Sequence, residues 1–230
     1  MSARARDKNG RVTREGAFPR KNRGLRIGAA AAVVVGVAIL ALGAIFFFGN
    51  QQRSSSGGQA GQYPYQVGSP GPGKEAPPIR LASTKGGRFD LSSMRGKTVL
   101  VYFQEGLTCQ PCWDQLKDIQ AHEGAFEALG IDKVVSVTTD PLPALEQKTK
   151  NEGLSTPVLS DPDLAASKAY NANKYGMMGT SRDGHTFVVV GPDGKIKWRV
   201  DYGGAPKYTM YVPVKNLLSD MRQGLKEGGR

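Results

Sequence analysis

The sequence predicts an α/β fold, a central mixed β-sheet flanked by helices, preceded by a single transmembrane helix. Three observations predict it. Short apolar, β-branched runs alternate with helical patterns from about Glu75 onward. One uncharged stretch of 22 residues stands ahead of them. A cysteine pair, Cys109-Gln110-Pro111-Cys112, falls where a buried strand hands over to a helix.

The first element is a basic tail. Residues 1–26 hold nine Lys/Arg against Asp7 and Glu15, and so carry +7 of the chain's net +11. A basic block beside an apolar span reads as a topology signal resting on anionic headgroups, and no nucleic-acid partner is expected. The span itself, residues 27–48, is about 33 Å long as a helix, enough to cross the hydrocarbon core. Its length, the 26 residues before it and the poor cleavage site Ala41-Leu42-Gly43 favour an uncleaved signal anchor over a removed leader. Arg53 is the one cation soon after Phe48. The expected arrangement is therefore a single-pass protein of the cell membrane, N-terminus cytoplasmic and the bulk extracytoplasmic. Residues 49–74 are rich in Gly, Ser, Gln and Pro and read as a flexible linker with a stiffer end.

Residues 75–230 read as one domain, long enough to bury a core without disulfides. Ile79–Ser83 and Arg88–Leu91 flank Lys85-Gly86-Gly87, a hairpin pattern. Thr98–Phe103 is a continuous apolar run, the mark of a strand covered on both faces. A helix follows Cys109, with Leu116, Ile119, Phe126 and Leu129 on its apolar side. Val134–Val137, a helix near Ala144–Asn151, a short strand at Thr156–Leu159 and a short helix at Leu164–Tyr170 come next. Thr186–Val190 and Ile196–Val200 flank the turn Gly191-Pro192-Asp193-Gly194, and Val214–Leu225 closes the domain as an amphipathic helix.

The two cysteines are the chain's only ones, two residues apart. A bridge closing so short a loop restrains the unfolded chain little, so stability is a weak reason for the pair. Redox chemistry is a stronger one. Cys109, at a helix start, meets unpaired N–H groups and the positive end of the helix dipole, which favour a thiolate. Cys112, one turn on, is placed to resolve a mixed disulfide. Pro111 suits the first helical turn, where its missing N–H is not needed. No cofactor and no structural metal are expected.

Over residues 75–201 the chain resembles the redoxin (AhpC/TSA, peroxiredoxin-like) branch of the thioredoxin superfamily. The resemblance rests on the entry strand VLVYF, the CQPC pair, TPVLSDPDLAASKAY (156–170) and TFVVVGPDGKIKW (186–198). It implies a thioredoxin-like fold and a thiol–disulfide oxidoreductase. Cys109 and Cys112 would be catalytic, with Thr108, Pro111, Trp113, His185 and Thr186 as active-site neighbours. Protein thiols or disulfides and a redox partner protein would be the partners.

The chain also departs from that pattern. Thr108 stands where Trp is usual, and Trp113 follows the second cysteine. His185 takes the place of a cis-proline, so a trans peptide is expected there, with the imidazole either favouring the thiolate or covering the active-site face. In a peroxiredoxin register Cys112 would be the peroxidatic residue and Arg182 its loose arginine candidate, which leaves a thiol peroxidase as the alternative. A Cu(I) site from two thiolates and His185 is a third reading. Four other groups read as ordinary structure: His122 as an exposed mid-helix residue, Glu105 as a solvated loop carboxylate, Met177-Met178 as part of a Gly-rich loop, and Tyr208, Met210 and Tyr211 as packing for the last helix.

Overall fold

The computed structural model describes residues 63–227. The basic tail, the apolar span 27–48 and residues 49–62 lie outside the described residues. Among those described, no helix is long and apolar enough to cross a membrane.

Seven strands form one sheet: β1 (Arg80–Ser83), β2 (Arg88–Asp90), β3 (Val99–Phe103), β4 (Lys133–Thr138), β5 (Val158–Ser160), β6 (Thr186–Val190) and β7 (Ile196–Asp201). Their order is β2-β1-β5-β4-β3-β6-β7. Strands β3, β4 and β5 run parallel, and the other pairings are antiparallel. Among the described residues five α-helices accompany them: α1 (Gln110–Ala121), α2 (Glu123–Glu127), α3 (Leu142–Asn151), α4 (Ala165–Ala169) and α5 (Val214–Glu227). This is the thioredoxin-like α/β arrangement, with a mixed sheet between helical layers.

Alternation along β3 builds two cores. Leu100 and Tyr102 join Trp113, Leu116 and Ile119 of α1 and Leu217 and Met221 of α5 on one face. Val99, Val101 and Phe103 join Val135, Val137, Val188 and Tyr170 on the other. A strand buried on both faces has no polar side to alternate with, which is why it reads as an unbroken apolar run.

Two expectations change. The cysteine helix was expected to continue through His122 to Leu129, but α1 stops at Ala121 and a separate turn, α2, follows. The His122 ring nitrogen Nδ1 lies 2.8 Å from the Asp118 carbonyl, the acceptor that the His122 backbone N–H would need to continue the helix. That N–H turns to Ile119 O instead. The end of the linker also belongs to the domain. Gln66 pairs with Asp201, Gly73 donates to Ile196 O, and the Tyr65 ring packs edge-on against Tyr202 at 5.6 Å. Residues 63–74 thus cover the outer edge of β7, which would otherwise be open. Composition misses this because the bonds run through the backbone, to which Gly and Ser contribute as well as any residue.

A buried ion pair anchors the strap. Arg199 and Asp201 are fully buried, and the guanidinium meets the carboxylate at Nε–Oδ2 2.9 Å and Nη2–Oδ1 2.8 Å. Arg199 Nη1 also donates to Tyr170 O and Pro70 O, while Asp201 accepts from Gly68 N and Thr186 Oγ1. Every charge is neutralised and the surrounding donors are used, the condition for burying such a pair at tolerable cost.

Candidate active site

Strand β3 ends at Phe103, and a short loop, Gln104–Thr108, leads to Cys109 at the start of α1. Cys109 is the N-cap of that helix: its Sγ accepts from Cys112 N at 3.3 Å. Its own N–H donates to Gly106 O at 2.9 Å. Pro111 lies in the first turn, where it takes no hydrogen bond from the helix. Cys109 and Cys112 are joined in a disulfide, with Cα atoms 5.3 Å apart. The two sulfurs differ in access. Cys109 is 6% exposed and Cys112 is 0%.

Trp113 is buried beneath the loop and its Nε1 donates to Gly106 O at 2.9 Å, so the indole supports the turn that presents Cys109. Lys148 Nζ lies 5.4 Å above its ring. Thr108 is exposed, and its hydroxyl points to Met178 Sδ at 3.7 Å. Met210 packs with both cysteines rather than with the last helix. Tyr211 bonds the cysteine helix through Asp118 Oδ2 at 2.9 Å, and both Tyr208 and Tyr211 are exposed.

The two neighbours expected from β6 behave differently. His185 is fully buried, with Nδ1 2.7 Å from Thr209 O and, among the described residues, no partner for Nε2. Its ring stands 5.2 Å from Tyr102, 5.1 Å from Phe187 and 6.0 Å from Tyr202. Burial pushes its pKa down to about 4, against a smaller raising effect of the Thr209 bond, so the ring is neutral near pH 7. A neutral imidazole cannot favour the thiolate by charge, and the covering role remains. The backbone there is trans, as expected: the cis bonds among the described residues are Ser69–Pro70 and Ala205–Pro206. Thr186 lies on the sheet face opposite α1, where its hydroxyl is given to Asp201 at 2.7 Å. It is not part of the cysteine site.

Glu105 is no solvated carboxylate. It is 2% exposed, and Oε1 accepts from Met177 N and from Met178 N at 3.1 Å. Arg182 Nη1 bonds both Glu105 O at 3.1 Å and Asp140 Oδ1 at 2.9 Å, so that nitrogen is committed to these oxygens. Among the described residues no group of three or more His, Cys, Asp or Glu is placed to hold a metal ion. The Cys109, Cys112 and His185 set considered for Cu(I) is therefore not assembled.

The chain is similar both to peroxiredoxins and to a thiol–disulfide oxidoreductase. The chain is 34% identical over 130 residues to a Mycobacterium tuberculosis protein assigned to the peroxiredoxins, covering 54% of this chain and 81% of the relative. It is 27% identical over 124 residues to the thiol-disulfide oxidoreductase ResA of Bacillus subtilis, covering 54% of this chain and 64% of ResA. The fold resembles that of the peroxidoxin BcpB of Mycobacterium tuberculosis, with TM-score 0.55 and 17% identity over 66% of this chain and 97% of the other. It also resembles a Bacteroides thetaiotaomicron protein assigned as a protein disulfide isomerase, with TM-score 0.50 and 22% identity over 73% of this chain and 96% of the other. The AhpC/TSA family model matches residues 72–199, a stretch that holds the cysteine helix, six complete strands of the sheet and the Gly191–Gly194 turn. Covering more than half of the chain, that match makes this protein a member of the AhpC/TSA family.

Proposed function

We propose that the protein is a thiol–disulfide oxidoreductase that exchanges disulfides with protein substrates through Cys109 and Cys112. The observation that carries the reading is the inequality of the two cysteines: Cys109 keeps a small exposed surface and caps α1, whereas Cys112 is closed off one turn deeper. In the reduced protein the Cys112 N–H and the helix dipole favour a Cys109 thiolate. That thiolate attacks a substrate disulfide, forming a mixed disulfide and expelling one substrate thiolate. Cys112, deprotonated, then attacks the Cys109 sulfur and expels the second. The substrate gains two electrons and the Cys109–Cys112 bond forms; oxidation of a substrate dithiol is the same sequence reversed.

A peroxiredoxin-like reading is favoured by the relative at 34% identity. In it a thiolate would attack a hydroperoxide to give a sulfenic acid and an alcohol or water, and the other thiol would condense to a disulfide with loss of water. The register puts that attack on Cys112, which is 0% exposed, and Arg182 is already held by Asp140 and Glu105. Dithiol exchange fits the geometry better.

The site works, in this proposal, outside the cell membrane. The support is the charge asymmetry around residues 27–48, nine cations before against Arg53 soon after. A reporter enzyme active only outside the cytoplasm, fused after Arg230, should be active; a well-expressed inactive fusion would overturn the topology. For the chemistry, Cys112→Ser should trap mixed disulfides through Cys109, and Cys109→Ser should lose exchange altogether. If Cys109→Ser instead turns over hydroperoxide, the peroxidase reading replaces this one.

A further inference from the structure

Neither cysteine explains how the loop before Cys109 is held. Three of its backbone groups are bound by side chains, two from distant segments and one from the cysteine helix. Leu107 N donates to Asp140 Oδ2 at 2.8 Å. Glu105 O accepts from Arg182 Nη1, and Gly106 O accepts from Trp113 Nε1. Asp140 and Arg182 are also bound to each other at 2.9 Å, with side-chain exposures of 4% and 27%. Thr138 Oγ1 donates to Asp140 Oδ2 at 3.0 Å, and Ser160 Oγ donates to Asp140 O at 2.7 Å. Both hydroxyls stand on sheet strands, so Asp140 is fixed to the rigid part of the fold. Gly106, at φ +87°, lies so close that a Cβ there would overlap the Asp140 carboxylate.

We infer that Asp140 is a positioning residue of the cysteine site, and that Arg182 serves as the clamp that orients it. Resting on the dithiol reading above, the inference assigns to this pair the placement of Cys109 at the helix N-terminus. The chain of contacts is short. Asp140 fixes Leu107 N, Arg182 fixes Glu105 O, and Gly106 O between them accepts the Cys109 N–H at 2.9 Å. Loosening the loop moves the cap residue away from the Cys112 N–H that its sulfur accepts from at 3.3 Å. A thiolate depends on that donor far more than a disulfide does, because hydrogen bonds to a charged acceptor are roughly twice as strong as neutral ones. The pair therefore stabilises the reduced protein relative to the oxidised one. Arg182 thus binds loop and carboxylate, a use of the arginine different from facing a peroxide at Cys112.

The test compares wild type with Asp140→Ala, Asp140→Asn, Arg182→Gln and Arg182→Lys in the full chain. The alkylation rate of Cys109 is followed against pH, and the dithiol is equilibrated with glutathione. Asp140→Ala and Arg182→Gln should raise the apparent thiol pKa, shift the glutathione equilibrium toward the disulfide, and lower the exchange kcat about tenfold or more with little change in KM. Arg182→Lys, which keeps a donor and its charge, should recover most of the loss. Should Asp140→Ala fail to fold, Arg182→Gln and Asp140→Asn carry the comparison. A folded Arg182→Gln or Asp140→Asn protein with lower melting temperature but a wild-type thiol profile and glutathione equilibrium would overturn the inference, reducing the pair to a structural contact. A wild type unable to form a disulfide with glutathione would overturn the dithiol reading itself, so the two failures are distinguishable.

Discussion

Ahead of β6, His185 is enclosed by Tyr102, Phe187 and Tyr202, with one ring nitrogen bonded and the other without a partner among the described residues. After β4, Asp140 is 4% exposed, and both of its carboxylate oxygens are used, one by Leu107 N and the other by the Arg182 guanidinium. Both residues carry ionisable groups close to the active-site helix. What separates them is compensation. A buried group without a charged partner is driven toward its neutral form and becomes packing, whereas one with a partner and matched donors can hold a loop in place. Asp183 shows the first outcome for an acid. It is fully buried, neither oxygen has a partner among the described residues, and the Ser167 hydroxyl beside it donates to Asp161. Burial, with the Asp161 and Asp140 charges behind it, pushes its pKa well above the usual carboxylate range.

The comparison breaks most visibly at Glu105, on the compensated side. Glu105→Ala leaves the Met177 and Met178 N–H groups without their acceptor and should destabilise the protein by about 4 kcal/mol, while Glu105→Gln keeps an acceptor and should lose less than half of that. Urea unfolding of the three proteins decides it. Equal losses in both variants would mean that the backbone bonds are not what Glu105 contributes.

His185 gives the next effect, through pH. Its folded pKa of about 4 lies below the unfolded value near 6.5, so between these values the unfolded chain binds more protons. The contribution is fully present above about pH 6.5 and is lost as pH falls to about 4, some 3 kcal/mol in all. His185→Phe should flatten this limb of the stability–pH curve and leave the thiol pKa nearly unchanged. A thiol pKa that rises in this variant would restore a charged role for the imidazole.

Asp183 should act with the opposite sign. Its raised folded pKa means that the folded state keeps a proton which the unfolded state releases above about pH 4, so stability falls as pH rises from there toward the folded pKa. Asp183→Asn, which cannot ionise, should be more stable than wild type at pH 7, with the advantage gone by pH 4. Denaturation at the two pH values tests it, and a variant less stable than wild type at pH 7 would show that the carboxyl has a partner. The smallest effect is expected at Tyr102, whose hydroxyl donates to Cys112 O at a long 3.4 Å. Tyr102→Phe should cost about 0.5 kcal/mol, because the ring stacking on Phe187 at 4.5 Å is retained.

Part of this protein is legible from the sequence. VLVYF as a strand buried on both faces, the Gly191–Gly194 turn and the cysteine pair at a helix start all follow from local rules. In each, the residues that decide the outcome are within a few positions of one another. Cys109 and Cys112 could be named for the same reason. The clamp could not. Glu105, Asp140 and Arg182 come from three separate segments, and each is an ordinary polar residue in its own neighbourhood.

His185 and Thr186 show the limit from the other direction. The resemblance put both beside the cysteines, but the alternation of β6 sends Thr186 to the opposite face, and burial leaves the imidazole neutral. Residues 63–74 likewise read as a linker until β7 offers them an edge. Periodicity, turn chemistry and the cysteine spacing are written along the chain, so the sequence alone determined most of the element order and the cysteine pair at the helix start. Which carboxylates find partners, which loop they hold and where the linker ends depend on burial and on groups distant in sequence, and only the tertiary structure decided those.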